Sequence, residues 1–340
     1  MARSERSLSV DDEDLDNKDS KNTKTCIKST VNILTALCES RNILFHDLEQ
    51  MSEADLCSQL KSLYAAVRSQ KGDLYSKKSM ISIRYGIQKH FLKIKNIDVV
   101  NNDAFKPANL VFQAMLVKLK REGKGASVHK PPIEVDDIAI IYKSFNLDVP
   151  NDLQNKVFVD FMLFYCNRGR ENLRELKKTD FSFHGSGDNK YIALRDHSTK
   201  NHRGDSKDDN ESQGGRLYVM PSNPLCPVKS FVKYLSVLHP DCDYFWQRPK
   251  PIEKKTVDIW FDKAPLGKNT LGDKMKNLSK RLNLSKLCTN HSLRATTITL
   301  LDNKGFEARH IISSHKTESS IISYSRTDDT KKEEDPQSLK

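Results

Sequence analysis

Residues 289–326 read TNHSLRATTITLLDNKGFEARHIISSHKTESSIISYSR. Thr289-Asn290-His291-Ser292-Leu293-Arg294 opens a helix expected over about 290–303, with Gly305 as its stop. His291 and Arg294 stand at i and i+3 and share a face, while Leu293, Ile298 and Leu301 can turn to a core. A His and an Arg on a first helical turn suit an anionic oxygen, because the unpaired N–H groups there already favour negative charge. Taken alone the pair decides little, since such pairs arise by chance and usually lie on a solvated face. Two more short helices are expected at about 306–313 and 317–325. His315 follows Arg294 by 21 residues, and Tyr324 follows His315 by nine. By itself a Tyr after Ile321 and Ile322 reads as a core residue.

Upstream, a helix is expected over about 151–166, and its run VFVDFMLFYC is apolar on nearly all sides, as a buried helix would be. It leads into Asn167-Arg168-Gly169-Arg170-Glu171-Asn172-Leu173-Arg174-Glu175-Leu176. Charged groups at the end of a buried helix need partners or a ligand. Strand signals follow at 181–183, 190–194 and 216–220, around a polar loop, NHRGDSKDDNESQGG, at 201–215. Lys200 falls in that hairpin. Helices resume near 227–238 and 269–282.

The first half reads differently. Residues 1–24 are charged and poor in large apolar side chains, the composition of a disordered tail. From about 25 to 95 the pattern is helical. Ser52 with Asp55 resembles a capping box with Asp in place of Glu, and Leu56, Leu60, Leu63, Tyr64 and Val67 give an apolar face ending near Lys71-Gly72. A second helix is expected over 77–93, with Met80, Ile83, Ile87 and Phe91 inside. Its other faces carry Lys77, Lys78, Arg84, Lys89 and Lys93, which serve equally as a solvated face or as phosphate contacts. The glycines, prolines and basic residues of LKREGKGASVHKPP, 119–132, mark a linker.

Composition fits that division. The 340 residues carry a formal charge of +11, and tails 1–24 and 328–340 are each net −2, so the body 25–327 carries +15. A basic body with acidic tails points to a polyanionic partner, nucleic acid first. Mean hydropathy is −0.64, and no apolar run approaches the roughly 20 residues needed to span a bilayer, so no membrane role is expected. The N-terminal stretch has no apolar core of a signal peptide. The seven cysteines, 26, 38, 57, 166, 226, 242 and 288, are odd in number and widely spaced, as in a protein with reduced, intracellular thiols and no zinc site.

An Arg-rich helix end, a hairpin Lys, His-x-x-Arg, a His and a Tyr nine residues later occur here in that order. The order resembles the tyrosine recombinase/integrase family over about residues 25–327. It is most similar to the Crypton branch of eukaryotic mobile elements and to the C-terminal domain of zinc finger MYM-type proteins. FYCNRGRENLREL (164–176), STKNHRG (198–204), CPVKSFVKYLSVLHP (226–240) and the segment 265–326 carry the likeness. His291 and Arg294 match the second box, His315 the third-box histidine, Tyr324 the nucleophile and Lys200 the lysine of the β-hairpin. Arg168 fits the Arg-x-x-Glu of the first box with Glu171, and Arg170 is the alternative. Ser314 stands where the family usually has Gly.

The resemblance implies a mainly α fold with a small antiparallel β-sheet, in two domains that clamp a duplex. A helical core-binding domain is expected over 25–120, a linker over 121–132 and the catalytic domain over 133–327. It implies an enzyme whose tyrosine attacks a DNA phosphodiester, forms a 3′-phosphotyrosine and releases a 5′-hydroxyl. Two arginines would hold the nonbridging oxygens as charge develops on them. The histidines would supply proton transfer, and Lys200 would protonate the leaving oxygen. No metal or other cofactor is implied. The implied partner is double-stranded DNA, bound by a homo-oligomer, and the implied location is the nucleus. The alternative is a domesticated, catalytically silent DNA-binding or chromatin-associated protein on the same fold. A type IB topoisomerase shares the chemistry but fits the length and residues 226–326 less well.

Overall fold

The computed structural model describes residue 19 and residues 21–125, 130–166, 172–195 and 215–305. The helices expected at 306–313 and 317–325 therefore lie outside the described residues. The chain divides into two compact units, residues 1–128 and 129–340. Among the described residues the fold is mainly α with two small antiparallel sheets, both in the second unit.

The regular elements described in the first unit are helices: α1 (Lys21–Glu39), α2 (Phe45–Gln50), α3 (Glu53–Ala66), α4 (Lys77–Lys95) and α5 (Lys106–Arg121). Ser52 caps α3, its Oγ accepting from the Asp55 N–H at 3.2 Å and donating to the Asp55 carboxylate at 2.6 Å. This helix ends at Ala66, about five residues short of the expected stop at Lys71-Gly72. The reason is local: Ser69 Oγ accepts from the Lys71 N–H at 3.3 Å and the Asp73 N–H at 3.2 Å, a turn that competes with the helix. Helix α4 keeps its expected inner face, with Met80, Ile83, Ile87 and Phe91 all buried, and runs on to Lys95 before a left-handed Asn96 closes it. It packs on α1, and α3 packs on α5. The α1–α4 approach is close because Gly86 has no side chain: a Cβ there would stand 2.2 Å from Thr30 Oγ1. After α5, Lys124 returns to the unit, its N–H on the Leu119 carbonyl at 2.9 Å and its carbonyl accepting from the Lys77 N–H at 3.1 Å.

The second unit is built round one helix. It opens with α6 (Val135–Lys143) and α7 (Pro150–Phe164). Strands β1 (Phe181–His184), β2 (Tyr191–Leu194) and β3 (Arg216–Tyr218) then form a sheet in that order, before α8 (Pro227–Ser236). A second sheet pairs β4 (Gln247–Pro249) with β5 (Phe261–Pro265), and α9 (Lys268–Gly272), α10 (Lys274–Arg281) and α11 (Asn290–Asn303) complete the order. Every residue of α7 from Leu153 to Met162 is buried, because α8, α10, α11, β3 and β4 all pack on it. That burial includes Lys156 and Asp160, one turn apart and ion-paired, and Tyr142 donates to Asp160 at 2.8 Å. A buried pair of this kind holds only while all three polar groups satisfy one another.

Two sequence expectations change here. The helix expected over 269–282 is split at Asp273 into α9 and α10. Asn290 causes the break by occupying both sides of it: its amide donates to the Leu271 carbonyl at 2.8 Å and its oxygen accepts from the Met275 N–H at 3.1 Å. Strands β4 and β5 carry no strand signal in sequence, since each is short and ends in a proline that cannot donate to a ladder.

Candidate active site

Three segments of the second unit meet at the end of α7. The helix stops at Phe164, and Tyr165 donates its phenolic O–H to the Ile192 carbonyl of β2 at 2.9 Å. Cys166 then turns the chain with φ +48, a left-handed conformation that costs a side-chain-bearing residue roughly 1–2 kcal/mol. Such a conformation persists only where surrounding contacts enforce it.

One enforcing contact comes from α11. Arg294 is 4 % exposed and donates Nη1 to the Cys166 carbonyl. Its helix is locked against α7 one turn further on, where the Thr297 hydroxyl donates to the Leu163 carbonyl at 2.9 Å. The helix start is fixed by Ser292, whose Oγ accepts from the Thr289 N–H at 3.2 Å, and by the buried Asn290. Burial pushes the Cys166 thiol up to about 11, with the Arg294 charge partly opposing that rise. The thiol therefore stays protonated at neutral pH and is no nucleophile. His291 shares the Arg294 face and is exposed on the first turn.

The third segment is the strand that returns from the hairpin loop. Gly215 opens β3 against the end of α7, where a Cβ would lie 2.1 Å from the Phe164 carbonyl oxygen and 2.6 Å from Tyr165 Cα. Only glycine fits there. No sequence pattern singles it out beyond the Gly214-Gly215 pair before a strand.

Arg294 thus contacts Cys166, and Arg168 and Arg170 follow that residue by two and four positions in the sequence. Arg168, Arg170, Lys200, His315 and Tyr324 themselves lie outside the described residues. Of the basic residues on α4, Lys78 and Lys89 are exposed and Lys77 half-buried, and Lys89 pairs with Asp19 at 2.5 Å. Arg84 departs from the expected solvent-facing role. Its Nη2 donates to Asn109 at 2.8 Å and its guanidinium lies 4.7 Å over the Phe112 ring, so it joins α4 to α5 inside the unit.

A buried polar chain near the start of α7 has no marker in the sequence. Lys274 donates to Gln154 at 3.0 Å, and Gln154 donates to the Gln247 carbonyl at 2.7 Å and the Tyr234 hydroxyl at 3.0 Å. Burial first, and the Arg281 charge second, bring the Lys274 ammonium down to about 7, against a rise from Asp152. A lysine on the inner face of an amphipathic helix reads as a solvated residue unless its partner is known. Among the described residues no helix is long and apolar enough to cross a membrane.

No family model matches the chain, and no curated protein matches it. Solved structures similar to it include XerA recombinase, at 16 % identity and a TM-score of 0.36 over 94 % of this chain and 93 % of that one. Another is the Tn1549 transposon integrase, residues 82–397, in complex with circular intermediate DNA. It is 14 % identical, with a TM-score of 0.48 over 90 % of this chain and 98 % of that one. A third is lambda integrase, residues 75–356, bound to DNA, at 14 % identity and a TM-score of 0.32 over 78 % of this chain and 92 % of that one.

Proposed function

We propose that this chain is a Crypton-type tyrosine recombinase that cleaves and rejoins duplex DNA through a 3′-phosphotyrosine on Tyr324. One observation carries the reading. The Arg294 guanidinium, buried at the first turns of α11, rests on the carbonyl of Cys166, two residues before Arg168. A recombinase needs two guanidinium groups converging on one phosphate, and this contact brings Arg294 to the residue that precedes Arg168 by two positions. A guanidinium keeps its charge when buried, and its planar donor geometry is the one that matches phosphate oxygens.

In this mechanism the Tyr324 oxygen bonds to phosphorus as the bond to the 5′ oxygen breaks. His291 accepts the phenolic proton, since a phenol with a pKa near 10 is a poor nucleophile at neutral pH. Lys200 gives a proton to the departing oxygen, His315 makes a further phosphate contact, and Arg168 and Arg294 hold the nonbridging oxygens. The bond energy is kept in the phosphotyrosine, so rejoining needs no nucleotide. The first unit would hold duplex phosphates through Lys77, Lys78 and Lys89, giving salt-dependent affinity. The protein would act as a homo-oligomer on DNA in the nucleus.

The test is a nicked suicide-substrate library incubated with wild type and with Tyr324→Phe in the presence of a chelator. A covalent adduct with wild type, mapped by mass spectrometry to the peptide containing Tyr324 and absent from the variant, is the expected result. An adduct that survives Tyr324→Phe removes Tyr324 from the chemistry. No adduct on any substrate leaves a DNA-binding protein without cleavage.

A further inference from the structure

The three-stranded sheet turns one face to the core and one to solvent. Phe181, Ile192 and Leu217 are buried on the inner side. The register places His184, Tyr191 and Tyr218 directly opposite one another on the outer side, one from each strand. His184 and Tyr191 are stacked, and Tyr218 is tilted at 44° against Tyr191. The His184 ring lies parallel to Tyr191, with centroids 5.0 Å apart and planes 16° apart. Arg216 holds its guanidinium 4.8 Å over the Tyr191 ring. Tyr218 sits 5.5 Å from Tyr191 and is 47 % exposed. His184 is steadied by Ser182, 2.9 Å from its Nε2.

Cross-strand aromatic pairs stabilise sheets, and that accounts for Tyr191, which is half-buried under its neighbours. It does not account for His184 and Tyr218, which are exposed at the margins of the stack. Nor does it account for the charge. Strands β1, β2 and β3 contain no Asp or Glu, while Arg216 on the outer face is cationic. The nearest carboxylate in the β1–β2 turn is Asp188. Flat π-surfaces beside a guanidinium match a ligand made of flat rings on an anionic chain.

We propose that this outer face is a stacking platform for unpaired bases of single-stranded DNA. Tyr218 and His184 take bases on their open faces, and Arg216 draws the phosphates beside them. Duplex DNA cannot use the platform, because its bases are already stacked on each other. The platform uses none of the residues assigned to cleavage.

The test uses the full chain and two probes, an oligothymidylate of about 12 nucleotides carrying one 2-aminopurine, and a blunt duplex with the same label. Wild type should bind the single strand and quench the 2-aminopurine as the base stacks. Tyr218→Ala should weaken single-strand binding on the order of tenfold and relieve the quenching, while duplex affinity stays unchanged. Tyr218→Phe keeps the ring and should keep both, which separates stacking from any loss of folding. Three outcomes overturn the proposal: no single-strand binding by wild type, equal single-strand affinity in Tyr218→Ala, or parallel loss on both probes. The second would follow if a segment of this chain already covers the face.

Discussion

Arg84 and Arg294 are both basic residues that face inward from a helix, and their partners set them apart. Arg84 spends its fork on Asn109 and the Phe112 ring, two groups of the neighbouring helix in its own unit. Both partners lie within regular structure, so the contact holds two helices together and reaches nothing else. Arg294 reaches the carbonyl of Cys166, a left-handed residue two positions past the end of α7 and just before a charged stretch of sequence. Burial of a guanidinium is therefore not a site. What matters is whether its partner belongs to regular structure or to the left-handed residue that follows it.

The comparison is broken most directly at Arg294. Arg294→Ala should lower the rate of covalent adduct formation by about 10²–10³-fold, the effect of removing one donor aimed at a developing charge. Thermal unfolding of the variant should stay cooperative. A variant that cleaves at the wild-type rate would reduce Arg294 to the same packing role as Arg84.

Arg84→Ala sharpens the contrast from the other side. It removes a charged hydrogen bond and a cation–π contact, together about 2–3 kcal/mol of stability. The dependence of DNA affinity on salt should not change, since Arg84 is engaged within its unit. Replacing Lys77, Lys78 and Lys89 together by Ala should do the reverse, leaving stability nearly unchanged and flattening the salt slope by up to about 3. Filter binding across a salt series distinguishes the two. A flatter slope in Arg84→Ala would mean that its guanidinium leaves Asn109 for a phosphate.

These two arginines also show how far the sequence could be read. Periodicity found α4, α7 and α11 because each has a long inner face, and capping found the start of α3 at Ser52. The pairing of His291 with Arg294 was legible because i and i+3 is a local relation. What Arg294 touches was not, since Cys166 lies 128 residues away and nothing local marks it. The same distance hides Asn290 across the break at Asp273 and Gly215 against Phe164. Arg84 misled for a related reason. Its own helix left room for a solvated face, and the pull toward Asn109 comes from a helix 25 residues on.

Lys274 extends the comparison to a third inward-facing cation, of a kind that can shed its charge. Arginine stays protonated whatever its surroundings, whereas a buried lysine gives up its proton instead of bearing the desolvation cost. Lys274 has an ordinary value of 10.5 and is brought down to about 7 by burial first and by Arg281 second. Between those two values the unfolded chain holds a proton that the folded protein has released. Stability from this group must then rise with pH across that window, by no more than about 1.4 kcal/mol per pH unit for one proton. Other groups titrate in the same range, so wild type is compared with Lys274→Met at each pH by urea unfolding. Near neutral pH the variant is favoured, because wild type buries an ammonium with only the Gln154 oxygen to accept from it at 3.0 Å. As pH rises, wild type should gain on Lys274→Met until the lysine is neutral in both states. A difference that stays constant with pH would mean that Lys274 keeps its proton as firmly as Arg84 and Arg294 do. The surroundings of α10 would then have to be wet enough to solvate it.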